Sequence, residues 1–198
     1  MGYEQAIEKG VHRFLFAKPY ERYIAAQVLR VMRAAPPLAK KVLSVGCGDG
    51  LVERALSGKY DLTCYDVHSA AKTTCPELNV VTAFPDGEVF DYIYAIGAVV
   101  SSVETEQQAS FLAQLFSVLR PGGTALLCAG YSGMPIDGDV REYVMDGSVV
   151  VQTYAHSGSC SFDVTTSVNG DDGYPIRYYS WDVRQSLADY YPRFRIKH

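Results

Sequence analysis

The sequence predicts an α/β fold, in which a doubly wound, mostly parallel sheet carries helices on both faces and an antiparallel β-hairpin is inserted after the fifth strand. Three observations support this prediction. Apolar runs alternate with helical segments over residues 42–129, which is typical of parallel sheets. A glycine-rich turn at residues 46–50 joins the first apolar run to a helix. Residues 160–168 alternate apolar and polar side chains, as in a strand with one wet face.

Apolar spacing and helix-ending residues predict the helices. Two helices occupy the first 35 residues, and the second has an apolar stripe formed by Ile24, Val28, Leu29 and Met32. Shorter helices follow at residues 51–56 and 69–74. A longer one lies between residues 105 and 119, with a stripe of Phe111, Leu112, Leu115, Phe116 and Leu119. A last helix begins at Ser180.

The strands are short apolar runs bounded by glycine, proline or acidic residues. Five are predicted to form the parallel sheet, at residues 42–46, 62–66, 79–82, 91–97 and 124–129. The inserted hairpin pairs residues 148–155 with residues 160–168. A sixth strand is predicted at residues 194–197.

Size and composition indicate one globular domain. The chain has 198 residues, of which 48% are hydrophobic and 20% are charged, as in ordinary globular proteins. No apolar run reaches the length of about 18 residues that spans a bilayer, and the N-terminus lacks the pattern of a signal peptide. The five cysteines form no C-x-x-C pair, so we expect free thiols, no metal site and a cytoplasmic location.

A glycine turn and a distant carboxylate together indicate a nucleoside-bearing cofactor. The turn reads Gly46-Cys47-Gly48-Asp49-Gly50, and Asp66 ends the next apolar run, 20 residues beyond Gly46. Glycines let the backbone approach a ligand and leave N–H groups to point at it. An acidic residue at about this distance is placed to accept hydrogen bonds from a ribose diol.

The spacing of the glycines separates two cofactor classes. A dinucleotide fingerprint reads G-x-G-x-x-G, whereas this turn reads G-x-G-x-G and resembles the first motif of the class I, seven-strand S-adenosylmethionine (SAM)-dependent methyltransferases. Residues 90–96, 119–127 and 177–183 resemble later segments of that family, in the same order, over roughly residues 40–195. The chain departs from the family at Ser44, where an acid is usual, and at residues 81–84, which contain no acid.

The resemblance divides the single domain into four segments. Residues 1–37 correspond to an N-terminal helical lid, residues 38–130 to the SAM-binding core, residues 131–175 to the hairpin insertion on the acceptor side, and residues 176–198 to the final helix and strand. It implies SAM as the cofactor, with contacts from Gly46, Cys47, Gly48, Asp49, Gly50, Asp66, Val67, Phe84, Ile96, Gly97 and Ala98. Asp66 would bind the ribose, and Val67 and Phe84 would flank the adenine.

The end of the fourth strand favours an acceptor that needs little activation. Residues 96–102 contain no acid and no lysine, so a built-in base for a hydroxyl acceptor is missing, and a nitrogen acceptor fits better. Three side chains elsewhere are weak candidates for a base, namely His156, Tyr20 and His12. Tyrosine is common, at 15 residues, and aromatic faces suit planar or cationic acceptors as well as core packing.

Four functions are compatible with these features. The first is methyl transfer to a small-molecule acceptor. The second is methyl transfer to nucleic acid, for instance an RNA cap guanine N7 or a tRNA base, which the net charge of +5 over residues 1–41 favours and the −9 over the remainder opposes. A non-catalytic methyltransferase-like scaffold and a nicotinamide-dependent oxidoreductase are the others. We expect no membrane partner, and self-association through the open sheet edge or the hairpin.

Overall fold

The computed structural model describes residues 20–97, 99–128, 135–145 and 147–179. Its first part consists of helix α1 (Tyr20–Ala34) and then alternating strands and helices. These are β1 (Lys41–Val45), α2 (Leu51–Leu56), β2 (Asp61–Tyr65), α3 (Ser69–Thr74), β3 (Val80–Val81), β4 (Phe90–Ala95), two 3-10 turns (Val100–Ser102 and Thr105–Gln107), α4 (Gln108–Ser117) and β5 (Leu119–Leu127).

The five strands form one parallel sheet in the order β3-β2-β1-β4-β5. The chain therefore runs outward from β1 in one direction, returns to the middle, and continues outward from β4 on the other side. In doubly wound sheets this reversal leaves a crevice at the carboxyl ends of the central strands. The predicted fold class is confirmed for this part of the chain, and the described residues supply five strands to this sheet.

Two apolar layers hold helices against opposite faces of this sheet. On one face, Val42 and Tyr92 pack with residues of α1, α2 and α3. On the other, Leu43 and Ile93 pack against α4 through Leu112 and Leu115. Alternating residues of β1 and β4 thus serve different layers, as the period of a strand requires.

A second sheet contains β6 (Val140–Met145), β7 (Ser148–His156), β8 (Ser161–Val168) and β9 (Tyr174–Tyr179), which pair antiparallel in that order. The predicted hairpin is β7 and β8, so its presence is confirmed, but it forms the middle of a four-stranded sheet. Sequence analysis did not predict β6 and β9, because each is only six residues long and neither VREYVM nor YPIRYY has the regular apolar–polar alternation of β8. An apolar cluster on one face contains Tyr154, Phe162, Val164, Ile176 and Tyr178.

Helix α1 forms where we predicted the second helix, and Ile24 and Val28 of the predicted stripe pack against the core, but the other two stripe residues do not. Gln27 and Val31 are its buried residues, whereas Leu29 and Met32 are exposed by 51% and 39%. The polar residue Gln27 lies on the inner face, which is why the apolar pattern alone did not identify that face correctly. The first predicted helix, the last helix after Ser180 and the strand at residues 194–197 lie outside the described residues.

The start of β4 is tied to β1 and to β5 by one carboxylate. Asp91 Oδ2 accepts hydrogen bonds from the backbone N–H groups of Lys40, at 2.7 Å, and of Lys41, at 3.0 Å. Its Oδ1 lies 2.9 Å from Arg120 Nη1. The two backbone bonds are the main reason that the pKa of Asp91 is lowered. Asp91 is therefore a structural residue at the amino ends of the strands, on the opposite edge from the crevice.

Replacing Asp91 by alanine should lower stability without altering the crevice. Loss of a charged acceptor for two backbone donors is expected to cost about 1–3 kcal/mol of unfolding free energy, measured by urea denaturation. Asp61→Ala is the matched control, since Asp61 is an exposed carboxylate at the start of β2 and should cost within about 0.5 kcal/mol. Equal losses in the two variants would contradict the structural role assigned to Asp91.

Candidate functional site

A cavity of about 710 Å³ lies at the carboxyl ends of β1, β2 and β4. Its volume falls within the range of about 300–1,000 Å³ that is typical of small-molecule sites. The glycine turn and the β2 tip form its floor, α1 lies on one side, and the 3-10 turns, α4 and β9 lie on the other. The lining residues are Tyr20, Tyr23, Ile24, Val45, Gly46, Cys47, Asp49, Val52, Glu53, Tyr65, Asp66, Val67, His68, Ile96, Gly97, Val99, Ser102, Val103, Gln107, Ser110, Phe111, Gln114, Ile176, Arg177 and Tyr178.

The glycine turn has a left-handed backbone at each of its three glycines, with φ of 74° at Gly46, 56° at Gly48 and 68° at Gly50. Only glycine adopts such angles without strain. A side chain at Gly46 would overlap Val99, which follows β4. The turn can therefore lie against the end of β4 only because residue 46 has no Cβ atom.

The N–H groups of the three glycines bind acceptors within the protein. Gly46 N–H donates to the Tyr65 carbonyl at 2.7 Å, and Gly50 N–H donates to the Cys47 carbonyl at 2.9 Å. Gly48 N–H donates to Asp66 Oδ2 at 2.9 Å. The expectation that these groups point at a ligand is therefore wrong for this structure. Such a loop can contact a ligand through its backbone surface, whereas a phosphate-binding loop also donates hydrogen bonds from free N–H groups.

Asp66 follows β2 and is only 3% exposed, yet it lines the cavity. Besides the bond from Gly48, its Oδ1 accepts the backbone N–H of His68 at 2.9 Å. An ionised carboxylate offers about four lone-pair positions, and these two bonds use one on each oxygen. Asp66 thus fixes the glycine turn and retains acceptor capacity toward the cavity, which is the capacity that a ribose diol needs.

Glu53, on α2, is a second buried carboxyl group that lines the cavity, and sequence reasoning missed it. It is 2% exposed. Its Oε1 accepts hydrogen bonds from Ser44 Oγ at 2.7 Å and from Tyr94 OH at 3.1 Å. Burial raises the pKa of Glu53 to about 7, although the bonds from Ser44 and Tyr94 oppose this rise. The signal available in the sequence was the unusual serine at position 44, which leaves room for a carboxyl group from the helix.

Two stacked tyrosines of α1 border the glycine turn. The rings of Tyr20 and Tyr23 lie 6.2 Å apart and nearly parallel. Tyr20 OH donates to Asp49 Oδ2 at 2.6 Å, which joins α1 to the turn. Burial is the main cause that raises the pKa of Tyr23 to about 12, so its phenol stays protonated near neutral pH. The part of the predicted lid that is described, residues 20–37, thus contacts the cofactor side of the cavity.

The opposite wall of the cavity has neutral polar side chains and one arginine, which forms an ion pair with an aspartate. Ser102, Gln107, Ser110 and Gln114 line it from the second half of the core. Arg177 of β9 also lines it, and its guanidinium binds both oxygens of Asp163, at 2.8 and 2.9 Å. This wall can donate and accept hydrogen bonds, and the pairing with Asp163 offsets its positive charge.

The cavity brings together most of the cofactor residues predicted from the sequence. Gly46, Cys47, Asp49, Asp66, Val67, Ile96 and Gly97 line it, whereas Gly48, Gly50 and Phe84 are not among the lining residues. Phe84 packs edge-on against the Tyr65 ring at 5.2 Å, and so supports the wall from behind. Val67 lines the cavity and is 66% exposed, so its apolar side chain is available to pack against a planar ligand group. Ala98 lies outside the described residues.

Of the two candidate bases that the structure describes, Tyr20 lines the cavity and His156 does not. His156 ends β7, its Nε2 lies 2.8 Å from the Pro135 carbonyl, and it is not a lining residue. His12 lies outside the described residues. The Cys47 thiol is not a nucleophile candidate, because a hydrogen bond with Cys64 and burial raise its pKa well above the usual range. All five cysteines are free thiols, as expected.

Across the described ranges, no cluster of three or more His, Cys, Asp or Glu side chains has the arrangement of a metal site. In the same ranges, no helix combines the length and the apolar character that a bilayer crossing requires.

The part of the chain that forms the glycine turn and the cavity floor is similar to a known protein family. The family model described as "Methyltransferase domain" matches residues 43–127, which span β1 to β5 and contain the glycine turn, Glu53 and Asp66. Residues 43–127 are therefore similar to methyltransferase domains. A comparison with curated protein sequences found no match.

Solved structures with the same fold extend the likeness beyond residues 43–127. CalS10, an amino pentose methyltransferase from Micromonospora echinaspora, superimposes with a TM-score of 0.68 over 92% of this chain and 85% of its own, at 20% identity. KedS8, a sugar N-methyltransferase from a Streptoalloteichus species, gives 0.69 over 87% and 83%, at 19% identity. CcbJ, a methyltransferase from Streptomyces caelestis, gives 0.66 over 80% and 73%, at 17% identity. At these identities the likeness establishes the fold.

The close approach of Gly46 to Val99 generates a prediction about stability. Alanine at position 46 must adopt a left-handed backbone, at a cost of about 1–2 kcal/mol, and must also displace Val99. Gly87→Ala is the matched control, since Gly87 has φ of 84° and open space where a Cβ would lie. Urea denaturation should show a larger loss for Gly46→Ala than for Gly87→Ala. Equal losses would contradict the packing role of Gly46.

The buried carboxyl group of Glu53 predicts a particular pH dependence of stability. Its pKa is raised from 4.5 to about 7 in the folded chain, so the folded state holds this proton longer than the unfolded state. Without ligand, stability should therefore fall as the pH rises from about 4.5 to about 7, by up to about 3 kcal/mol from this group.

Glu53→Gln removes this titration and keeps an acceptor for Ser44 and Tyr94. Urea denaturation of both proteins at pH 5 and pH 8 isolates the contribution of Glu53, because the other groups titrate alike in both. The stability of Glu53→Gln relative to the unsubstituted chain should be greater at pH 8 than at pH 5. A difference that does not change with pH would contradict the raised pKa.

Proposed function

We propose that this chain is a SAM-dependent methyltransferase that transfers a methyl group to a nitrogen of a small-molecule acceptor. The observation that carries the proposal is the arrangement of Asp66 at the tip of β2. Its buried carboxylate closes the glycine turn and keeps acceptor capacity toward the cavity. The remaining support comes from the charge of the cavity, the matched family and the polar character of the far wall.

The charge of the cavity favours a cationic adenosyl ligand over a dinucleotide. Three carboxyl groups, those of Asp49, Glu53 and Asp66, lie around the glycine turn, and each glycine N–H of the turn is already bonded within the protein. A pyrophosphate would need free N–H donors and positive charge at this position. A sulfonium ligand needs neither, which opposes the oxidoreductase alternative.

The residues present fit SAM. Asp66 would accept hydrogen bonds from the ribose hydroxyls, and Val67 would pack against the adenine. Ile96 and Gly97, after β4, would line the space beside the reacting centre. When bound, the cofactor supplies an electrophilic methyl group on its sulfonium, and the chain supplies proximity, orientation and exclusion of water. Tyr20 and Tyr23 exclude water from the α1 side.

The acceptor site would lie toward α4 and β9. Neutral side chains there, including Ser102, Gln107 and Gln114, suit an acceptor rich in hydroxyl or amide groups. The lining residues next to β4 are Ile96, Gly97 and Val99, and none of them can remove a proton. An amine brings its own lone pair and needs no base when it binds neutral. The structural relatives CalS10 and KedS8 act on an amino pentose and on a sugar nitrogen respectively, which is consistent with such an acceptor.

The proposal is tested first at Asp66. Asp66→Asn should raise the Kd of S-adenosylhomocysteine about ten-fold or more, because hydrogen bonds to a charged acceptor contribute about 1.5–3 kcal/mol. Calorimetry measures the Kd, and urea denaturation reports whether the turn still folds. Asp86→Asn, in the exposed turn before β4, is the control and should leave the Kd unchanged.

The same preparations distinguish the competing functions. Mass spectrometry should detect methyl transfer from SAM to small amines, amino sugars among them, and Asp66→Asn should slow it. Binding of adenosyl ligands with an unchanged Kd in Asp66→Asn would remove the ribose assignment. Absence of binding in the unsubstituted chain would favour the scaffold. Methylation of capped RNA, with affinity that falls steeply as salt rises, would favour the nucleic-acid alternative.

A further inference from the structure

Glu53 is a buried carboxyl group at the cavity, and binding of a ribose at Asp66 does not explain it. Its carboxyl group is almost fully buried at the cavity and carries two hydrogen bonds from neutral hydroxyl groups, those of Ser44 and Tyr94. Both bonds reach the same oxygen, Oε1. The carboxyl group also accepts a hydrogen bond from its own backbone N–H. Within the described part of the chain, Oε2 accepts no hydrogen bond from another residue, and no lysine or arginine pairs with Glu53. An ionised carboxylate buried without a cation is costly, so its place at a ligand cavity calls for a positively charged partner.

The order of the strands indicates which part of a ligand would reach Glu53. Asp66 lies at the tip of β2, whereas Glu53 binds Ser44 on β1 and Tyr94 on β4. Since β1 lies between β2 and β4, Glu53 is displaced from Asp66 across β1. A ligand whose ribose binds Asp66 and that extends along the strand ends therefore brings its far end to Glu53. In an adenosyl amino acid, that far end carries the ammonium group.

We propose that Glu53 binds the α-ammonium group of the cofactor's amino-acid end. This inference rests on the proposed function, because it takes an adenosyl amino acid as the ligand. The hydroxyl groups of Ser44 and Tyr94 hold Oε1 in place and leave Oε2 for the cation. Glu53 is a binding residue in this assignment and not a base for the acceptor. Ser44 has no charge of its own, so the helix supplies the carboxylate and the strand supplies the hydroxyl that orients it.

The charged groups near Glu53 support a cation and oppose an anion. Asp49 and Asp66 line the same floor, and the nearby phenols of Tyr23 and Tyr94 are held neutral because burial raises their pKa values. Arg54, the next residue along α2, does not line the cavity, and its guanidinium binds Glu77 and the carbonyls of Thr74 and Asp49. A positively charged ligand group is therefore the component that this floor lacks.

A pair of ligands tests the assignment. S-adenosylhomocysteine carries the ammonium group, and 5′-methylthioadenosine has the same adenosine and thioether without the amino acid. In Glu53→Gln, calorimetry should show a Kd for S-adenosylhomocysteine that is raised about ten-fold or more, while the Kd for methylthioadenosine changes less than about two-fold. Glu88→Gln is the control, because Glu88 is an exposed carboxylate paired with Lys41 at 2.7 Å, and it should leave both affinities unchanged.

Other results would overturn the assignment in distinguishable ways. Equal loss for both ligands would show that Glu53 only supports the turn, and no loss for either would remove it from the site. Slower methyl transfer with both affinities unchanged would indicate a base. If the unsubstituted chain binds neither ligand, the proposed function fails and the assignment fails with it. Should Glu53→Gln not fold, the unsubstituted chain provides the test, since an S-adenosylhomocysteine analogue without the amino group should bind it about ten-fold more weakly.

Discussion

The site depends on one carboxylate that has two functions at once. Asp66 accepts the backbone N–H groups of Gly48 and His68, and through them fixes both the glycine turn after β1 and the start of the segment after β2. Buried carboxylates are retained where several donors compensate their desolvation. Here the donors come from two loops that are far apart in the chain, so the carboxylate shapes the floor of the cavity before any ligand arrives.

The remainder of the cavity follows from where the parallel sheet reverses direction. Strands β1 and β4 end side by side, and the helices that follow them lie on opposite faces of the sheet. The glycine turn can approach the end of β4 because Gly46 has no side chain to meet Val99. Apolar packing thus determines the position of the site, and three carboxyl groups give its floor a negative character that matches a cationic ligand.

We assign cofactor binding to one wall of the cavity and acceptor binding to the other. The α1 wall is aromatic and connected to the turn through the Tyr20–Asp49 hydrogen bond, which suits a shielded cofactor. The opposite wall combines neutral polar residues of α4 with β9 of the second sheet, which suits an acceptor that varies among relatives.

Local sequence determined the elements whose signals are short-range. The strands and helices over residues 41–127 were predictable because apolar period, glycine and proline report directly on backbone conformation. The spacing from Gly46 to Asp66 predicted two site residues that the structure places at one cavity. Only the tertiary structure decided what depends on neighbours distant in the chain. It placed Glu53 beside Ser44, turned Leu29 and Met32 outward on α1, committed the glycine N–H groups to internal acceptors, and made β6 and β9 the edges of a sheet. Each of these outcomes depends on packing between segments that are distant in the chain, and local sequence patterns do not specify such contacts.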